Sequence, residues 1–265
     1  MIYNAKEGRI EIQNIKMDYI TFGKGRKSLI MIQGLNTNGI KGSSVFLAFM
    51  YRIFLKDYKI YMFDRRIDLD ENITVKDLAK DIEIVMDFLK IKNADILGVS
   101  QGGMIAQNIA IDRPDLVHKL VLAVTLSKNN TTVKNVINNW IDMVEHNNMK
   151  KLVLDMSLKM YSDSYVKKYL PFMNILTVLQ KPKDINRFKI LAKSCLSCNT
   201  FDDLEKIKCP VFVIGGSKDK ITTGEASVEI AKKLNCKIHM YEDLGHAAYE
   251  EAEDFNKKIY DFFME

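Results

Sequence analysis

The sequence predicts an α/β domain: a mostly parallel β-sheet covered on both faces by helices, with an all-helical insertion placed over one edge. Three observations carry this reading. Short aliphatic runs alternate with helical patterns up to residue 127 and again after Cys209-Pro210, an alternation that calls for parallel strands joined by crossover helices. From about 128 to 200 helical stripes follow one another with no strand-like run between them. The length of 265 residues, 47% of them apolar, suits one large domain with a sizeable core better than two independent ones.

Two strand-like runs open the chain, Arg9–Ile15 and Met17–Phe22, and Gly23-Lys24-Gly25 ends the pair as a turn. Leu29–Gln33 is a short apolar run of the kind buried on both faces. The Gly- and Asn-rich loop Gly34–Gly42 leads to a helix over Ser44–Leu55, with Ser43 or Ser44 as its N-cap. Strand Lys59–Phe63 stops at Asp64-Arg65-Arg66. Thr74 caps a helix running through Lys90, because Leu78, Ile82, Val85, Met86 and Leu89 recur three or four residues apart. Ala94–Val99 is a buried strand, Gln101–Asp112 a helix ended by Arg113-Pro114, and His118–Leu126 a further strand. In the insertion, Val133, Ile137, Trp140 and Val144 form one stripe, and Leu152, Met156 and Met160 another. Strand Val211–Ile214, helix Glu225–Leu234, strand Lys237–Tyr241 and helix Ala247–Phe263 close the chain. The core is assigned to 1–127 and 200–265, and the helical insertion to 128–199.

Composition narrows the function classes. The net charge of +5 is spread among interleaved acids and bases, and its densest run, Lys181–Lys189, is too thin for a nucleic-acid footprint. The start, Met1-Ile2-Tyr3-Asn4-Ala5-Lys6-Glu7-Gly8, has no apolar core of signal-peptide length. No run of about 18 apolar residues marks a membrane span. The expected location is the cytoplasm. Cys195 and Cys198 form a C-x-x-C, but no second pair or histidine follows at zinc-ligand spacing, so both are read as buried or half-buried free thiols. Gly34–Ser43 lacks the Gly-Lys-Ser/Thr of a phosphate loop, and Gly98–Gly103 fails the dinucleotide spacing.

The run Gly98-Val99-Ser100-Gln101-Gly102 has the form G-x-S-x-G and joins a buried strand to a helix. That context makes Ser100 a nucleophile: a sharp strand-to-helix turn lifts its hydroxyl off the sheet edge, and the helix N-terminus behind it favours negative charge. A serine hydroxyl needs a base and a group that orients the base. Of four histidines, His118 precedes a strand as a surface residue, His146 lies between helical segments and His239 alternates within a strand. His246 alone lies in a loop after a strand, at the carboxyl edge where sites of parallel sheets form. Asp219, in the loop after Val211–Ile214, is the orienting acid, and the chain order Ser100, Asp219, His246 is the one this architecture uses. Asp243 is the fallback acid. The backbone N–H groups of Gln101 and Leu35 are the expected oxyanion donors, with Gly34 letting the second approach.

These residues resemble the α/β-hydrolase superfamily, above all its small capped carboxylesterases, enol-lactonases, C–C bond hydrolases and cofactor-free haloperoxidases. The similar pieces are Phe22-Gly23-Lys24-Gly25, the loop at Gly34, Gly98–Gly103, Cys209–Asp219 and Gly245-His246-Ala247-Ala248, which together span nearly the whole chain. The loop after the third strand begins Gln33-Gly34, where that branch usually has His-Gly. The resemblance implies an eight-stranded sheet, a helical cap and no cofactor.

The expected activity is acyl transfer to water: hydrolysis of a carboxylester, thioester or lactone through an acyl-enzyme, on a small or medium, partly apolar substrate. C–C hydrolysis or perhydrolysis on the same triad, or a slow-turnover ligand-binding role, are the alternatives. Met143, Met149, Met156, Met160, Met173, Trp140 and Tyr161 offer lining for an adaptable apolar pocket, though for most of them the stripes are read as helix-on-helix packing.

Overall fold

The computed structural model describes residues 2–169 and 182–265; Met1, Met173 and Lys181, named above, lie outside them. The centre is an eight-stranded sheet: β1 Lys6–Ile12, β2 Ile15–Phe22, β3 Lys27–Ile32, β4 Tyr58–Phe63, β5 Ala94–Val99, β6 Val117–Ala123, β7 Val211–Gly216 and β8 Lys237–Tyr241. The strand order is β1-β2-β4-β3-β5-β6-β7-β8. The β1–β2 and β2–β4 pairs are antiparallel and every other pair is parallel. From β3 the chain moves outward to β4, then returns to lay β5 on the other flank of β3. The carboxyl ends of β3 and β5 thus face a topological switch point, the crevice where open α/β sheets bind ligands.

Helices α1 Ser44–Met50, α2 Val75–Phe88 and α3 Gln101–Asp112 fall between the early strands. Helices α4 Thr131–Glu145, α5 Met149–Met160, α6 Asp163–Tyr169 and α7 Ile185–Cys195 follow β6, and α8 Gly224–Leu234, α9 Ala248–Glu251 and α10 Phe255–Met264 complete the chain. Apolar packing on one sheet face includes α2, α3 and the inner faces of α4 and α7; the other face carries α1 and α10. Thr74 and Asp77 form a reciprocal capping box at α2, satisfying two orphan donors of its first turn. The ends of the helical stretch meet at an isolated antiparallel bridge, Lys128 with Asn199, and Thr200 N donates to Ser127 O at 2.7 Å.

Several boundaries differ from the sequence expectation for local reasons. Gln13 takes φ 51° and turns the chain tightly, so Ile15 opens β2 and does not close β1; glutamine carries no turn signature. The helix expected over Ser44–Leu55 stops at Met50 and tightens into a 3-10 turn, Arg52–Phe54, while the Ser43 hydroxyl bonds Ile40 O and caps nothing. β6 ends at Ala123 because Val124 adopts φ 44°, a rare conformation for a β-branched residue. The helix expected over Ala247–Phe263 breaks in two where Ala252 becomes extended and Asp254 accepts from Tyr241 Oη at 2.7 Å.

Candidate active site

Ser100 stands between the last residue of β5 and the first of α3, at φ 55° and ψ −119°. Such a geometry costs a non-glycine residue roughly 1–3 kcal/mol and persists only where neighbours over-determine it. They do so here. Ser100 N donates to Ala123 O at 2.8 Å, and Ser100 O accepts from Gly103 N at 2.8 Å and from Thr125 Oγ1 at 2.7 Å. The two glycines of the motif permit close approach. A Cβ on Gly102 would lie 1.9 Å from Ile32 O, and one on Gly98 2.6 Å from Gly102 O.

The three side chains read from the sequence form one hydrogen-bonded row. His246 Nε2 lies 3.0 Å from Ser100 Oγ, and His246 Nδ1 lies 2.8 Å from Asp219 Oδ2. His246 is 4% exposed and Asp219 8%, so the row is shielded from bulk water. Asp219 Oδ1 accepts from the backbone N–H groups of Ile221 at 2.7 Å and Thr222 at 3.0 Å, and Oδ2 also accepts from Thr222 Oγ1 at 2.7 Å. Burial pushes the Asp219 carboxyl up, but the charge and hydrogen bond of His246, with the bonds from Thr222 and Ile221, outweigh it and hold the pKa below the ordinary value.

Gln101 is the first residue of α3, so its N–H has no acceptor within the helix. Leu35 follows Gly34, on which a Cβ would stand 3.2 Å from that of Ser100. Both segments therefore lie beside Ser100. The Gln101 side chain is buried, with Oε1 accepting from Arg65 Nη2 at 2.9 Å and Nε2 donating to Leu191 O at 2.7 Å on α7. Arg65 Nη2 also donates to Gln33 O at 2.6 Å. Burial lowers the Arg65 pKa to about 10 against the opposing pull of Asp64, leaving a cation at neutral pH. Sequence reasoning treats Arg65 only as a strand stop and passes over Thr222. The pattern Asp-x-x-Thr at Asp219 was the available signal for the second; the first is a through-space relation with none.

A cavity of about 40 Å³ opens onto Ser100 and His246, walled by Met104, Val133, Ile137, Trp140, Met156 and Met160 among others. Trp140, Met156 and Met160 thus reach the site. Met143 and Met149 are buried in the core, and Tyr161 turns its hydroxyl to Glu250 Oε2 at 2.6 Å. Cys195 also lines the cavity. Cys195 and Cys198 are buried free thiols, pushed up by burial to about 11 and about 12, so neither is a thiolate at neutral pH. The remaining histidines lie elsewhere. His118 Nδ1 meets the buried Asp95 Oδ1 at 2.7 Å at the amino end of the sheet, so it is tied to the core as well as exposed. His146 caps the end of α4, and His239 sits in β8. Asp243, with its side chain 90% exposed, pairs with Lys218 at 2.7 Å, away from His246. Among the described residues, no helix is long and apolar enough to cross a membrane.

Known proteins resemble the chain over most of its length. The 3-oxoadipate enol-lactonase 1 of Acinetobacter baylyi is 25% identical over 207 residues, covering 75% of this chain and 76% of its own. The 2-hydroxy-6-oxononadienedioate/2-hydroxy-6-oxononatrienedioate hydrolase 2 of Pseudomonas putida is 23% identical over 276 residues, covering 98% and 94%. The fold matches the crystal structure of MGS-M2, an alpha/beta hydrolase enzyme from a Medee basin deep-sea metagenome library, with a TM-score of 0.88 at 20% identity, covering 97% and 98% of the two chains. The family model described as serine aminopeptidase, S33, matches residues 70–253. That stretch is more than half of the chain and holds Ser100, Asp219 and His246, so the protein belongs to this family of α/β hydrolases.

Proposed function

We propose that the protein is a serine hydrolase of ester-type bonds, carboxylesterase-like, with Ser100 as nucleophile, His246 as general base and acid, and Asp219 as the orienting carboxylate. The observation that carries this reading is the continuous row from Ser100 Oγ through both ring nitrogens of His246 to Asp219 Oδ2, at 3.0 and 2.8 Å. Imidazole at that distance accepts the hydroxyl proton as Oγ attacks the carbonyl carbon. In this reading the oxyanion is held by the N–H groups of Leu35 and Gln101. Collapse breaks the bond to the leaving group, which takes the proton from His246 Nε2. The acyl group stays on Ser100 Oγ. Water then gives a proton to His246 as its oxygen attacks the acyl carbon, and release of the acid returns that proton to Oγ. Asp219 stays ionised and steadies the imidazolium, in keeping with its lowered pKa.

Residues 128–199 act in this reading as a cap that shapes the acyl side of the site, through Trp140, Met156 and Met160. The apolar walls favour a small uncharged acyl group. A second reading, lactone opening or C–C hydrolysis on the same triad, draws support from the names of the two relatives.

The test is turnover of a short p-nitrophenyl ester beside a lactone and a thioester, by wild type and Ser100→Ala. Wild type should also be labelled by a fluorophosphonate. The variant should lose about 10³-fold or more in kcat and all labelling. Near-normal turnover by Ser100→Ala would refute the assignment.

A further inference from the structure

Beside the catalytic cavity lies a larger recess that no sequence motif marks. Its volume is about 240 Å³. Met31 and Val99 line it from the sheet, Leu47 and Met50 from α1, and Tyr249 and Glu250 from α9. The two spaces share Gly34, Leu35 and Tyr249 as walls, so the recess adjoins the space at Ser100 with a single layer of residues between them. At the mouth Phe46 is 64% exposed, an apolar ring left to water at the edge of an apolar recess. Glu250 is the one charged group among the described lining residues.

We propose that this recess is the leaving-group subsite, that it takes an extended, uncharged apolar alcohol arm, and that Glu250 turns away arms ending in a carboxylate. The proposal rests on the serine-hydrolase reading above. Three arguments carry it. The leaving atom takes its proton from His246 Nε2, and Tyr249 and Glu250 follow His246 by one turn of chain. The leaving product departs first, while the acyl group is still bonded to Ser100, so its arm needs the route to solvent. The recess provides that at Phe46, whereas the cavity of about 40 Å³ is backed by the buried Val133, Ile137 and Trp140. The volume also fits: at about 30 Å³ for each water-sized group, the recess holds roughly six to eight carbons. On the charge side, Glu250 is exposed to solvent, but its protein side is crowded. Burial pushes its pKa up and the neighbouring Glu251 adds to this, against the Tyr161 hydrogen bond. A second anion there adds repulsion that no cation among the described lining residues relieves.

The test uses alkyl acetates from methyl to hexyl, followed by acid release. Wild-type kcat/KM should rise at least about tenfold along the series, since each buried methylene is worth about 0.8 kcal/mol. In Met50→Trp, whose ring fills the recess, the hexyl-to-methyl ratio should fall to within about twofold of one. Leu47→Trp blocks the same space and serves if the first variant does not fold, as judged by circular dichroism. Calorimetric titration with 1-hexanol needs no turnover, and binding should weaken at least about tenfold in the tryptophan variant. Acetylated 6-hydroxyhexanoate should react at least about tenfold more slowly than hexyl acetate, and Glu250→Gln should narrow that gap about threefold or more. Equal 1-hexanol binding by wild type and the filled variant overturns the subsite. Failure of fluorophosphonate labelling overturns the hydrolase reading instead, and the titration still decides the recess.

Discussion

Arg65 Nη2 donates to Gln101 Oε1 at 2.9 Å. The same nitrogen holds the carbonyl of Gln33 at 2.6 Å, so one buried cation ties the residue after the nucleophile to the loop that carries Leu35. Both proposed oxyanion donors depend on it. Arg65→Lys ends its side chain one atom short of the position of Nη2, so its ammonium lies too far away to keep both bonds at their present lengths. We expect kcat to fall about tenfold to a hundredfold, as loss of about 1–3 kcal/mol of hydrogen bonding implies, with KM changing less. Steady-state kinetics on a short ester, with a thermal melt alongside, would separate this from plain unfolding.

Asp219→Asn should leave the fold in place and reduce kcat by on the order of 10³ to 10⁴, because the amide favours the wrong imidazole tautomer. The pH dependence has a definite sign. The Asp219 pKa is lower in the folded protein than the value of about 3.9 expected of the unfolded chain. Its contribution to stability is therefore complete above the unfolded value and drains away as pH falls through the folded one. Acid titration of wild type and variant should show their stability gap shrinking below about pH 4. A gap that stays constant down to acid unfolding would contradict this.

Gly102→Ala is expected to be severe, although alanine suits helices. The added Cβ would lie 1.9 Å from Ile32 O, a backbone atom inside the sheet that has no room to move. The α3–β3 contact must open, at a cost of several kcal/mol, about 3 or more. Chemical denaturation should show the loss directly, and soluble protein with an unchanged midpoint would count against the packing described.

The acyl side should be selective for small groups. With about 40 Å³ available, p-nitrophenyl acetate and propionate should outrun the octanoate by about tenfold or more in kcat/KM. Met156→Ala removes a wall of that cavity and should move the optimum toward longer acyl chains. A chain-length profile of both proteins provides the check.

Much of the scaffold is legible in the residues themselves. β5 and α3 are predicted to the residue, because six buried positions, a Gly-flanked serine and a helical run bounded by Arg113-Pro114 leave little choice. Asp219 and His246 stand out because each follows a strand at the same sheet edge. Misreadings fall where one backbone angle decides: Gln13 at φ 51° and Val124 at φ 44° end strands without a glycine or proline to announce it. Arg65 is invisible to pattern reading for a different reason. Its role comes from a distance between segments far apart in sequence, the 36 positions that separate it from Gln101.

The bridge between Lys128 and Asn199 has an implication for how such a protein can change. Entry and exit of the helical stretch stand side by side at the sheet's rim, so the intervening chain is a loop in the topological sense, however large. It can be lengthened, shortened or exchanged for a foreign one without rethreading any strand. In the reading proposed above, selectivity resides in that stretch and can change there while every strand of the sheet keeps its place.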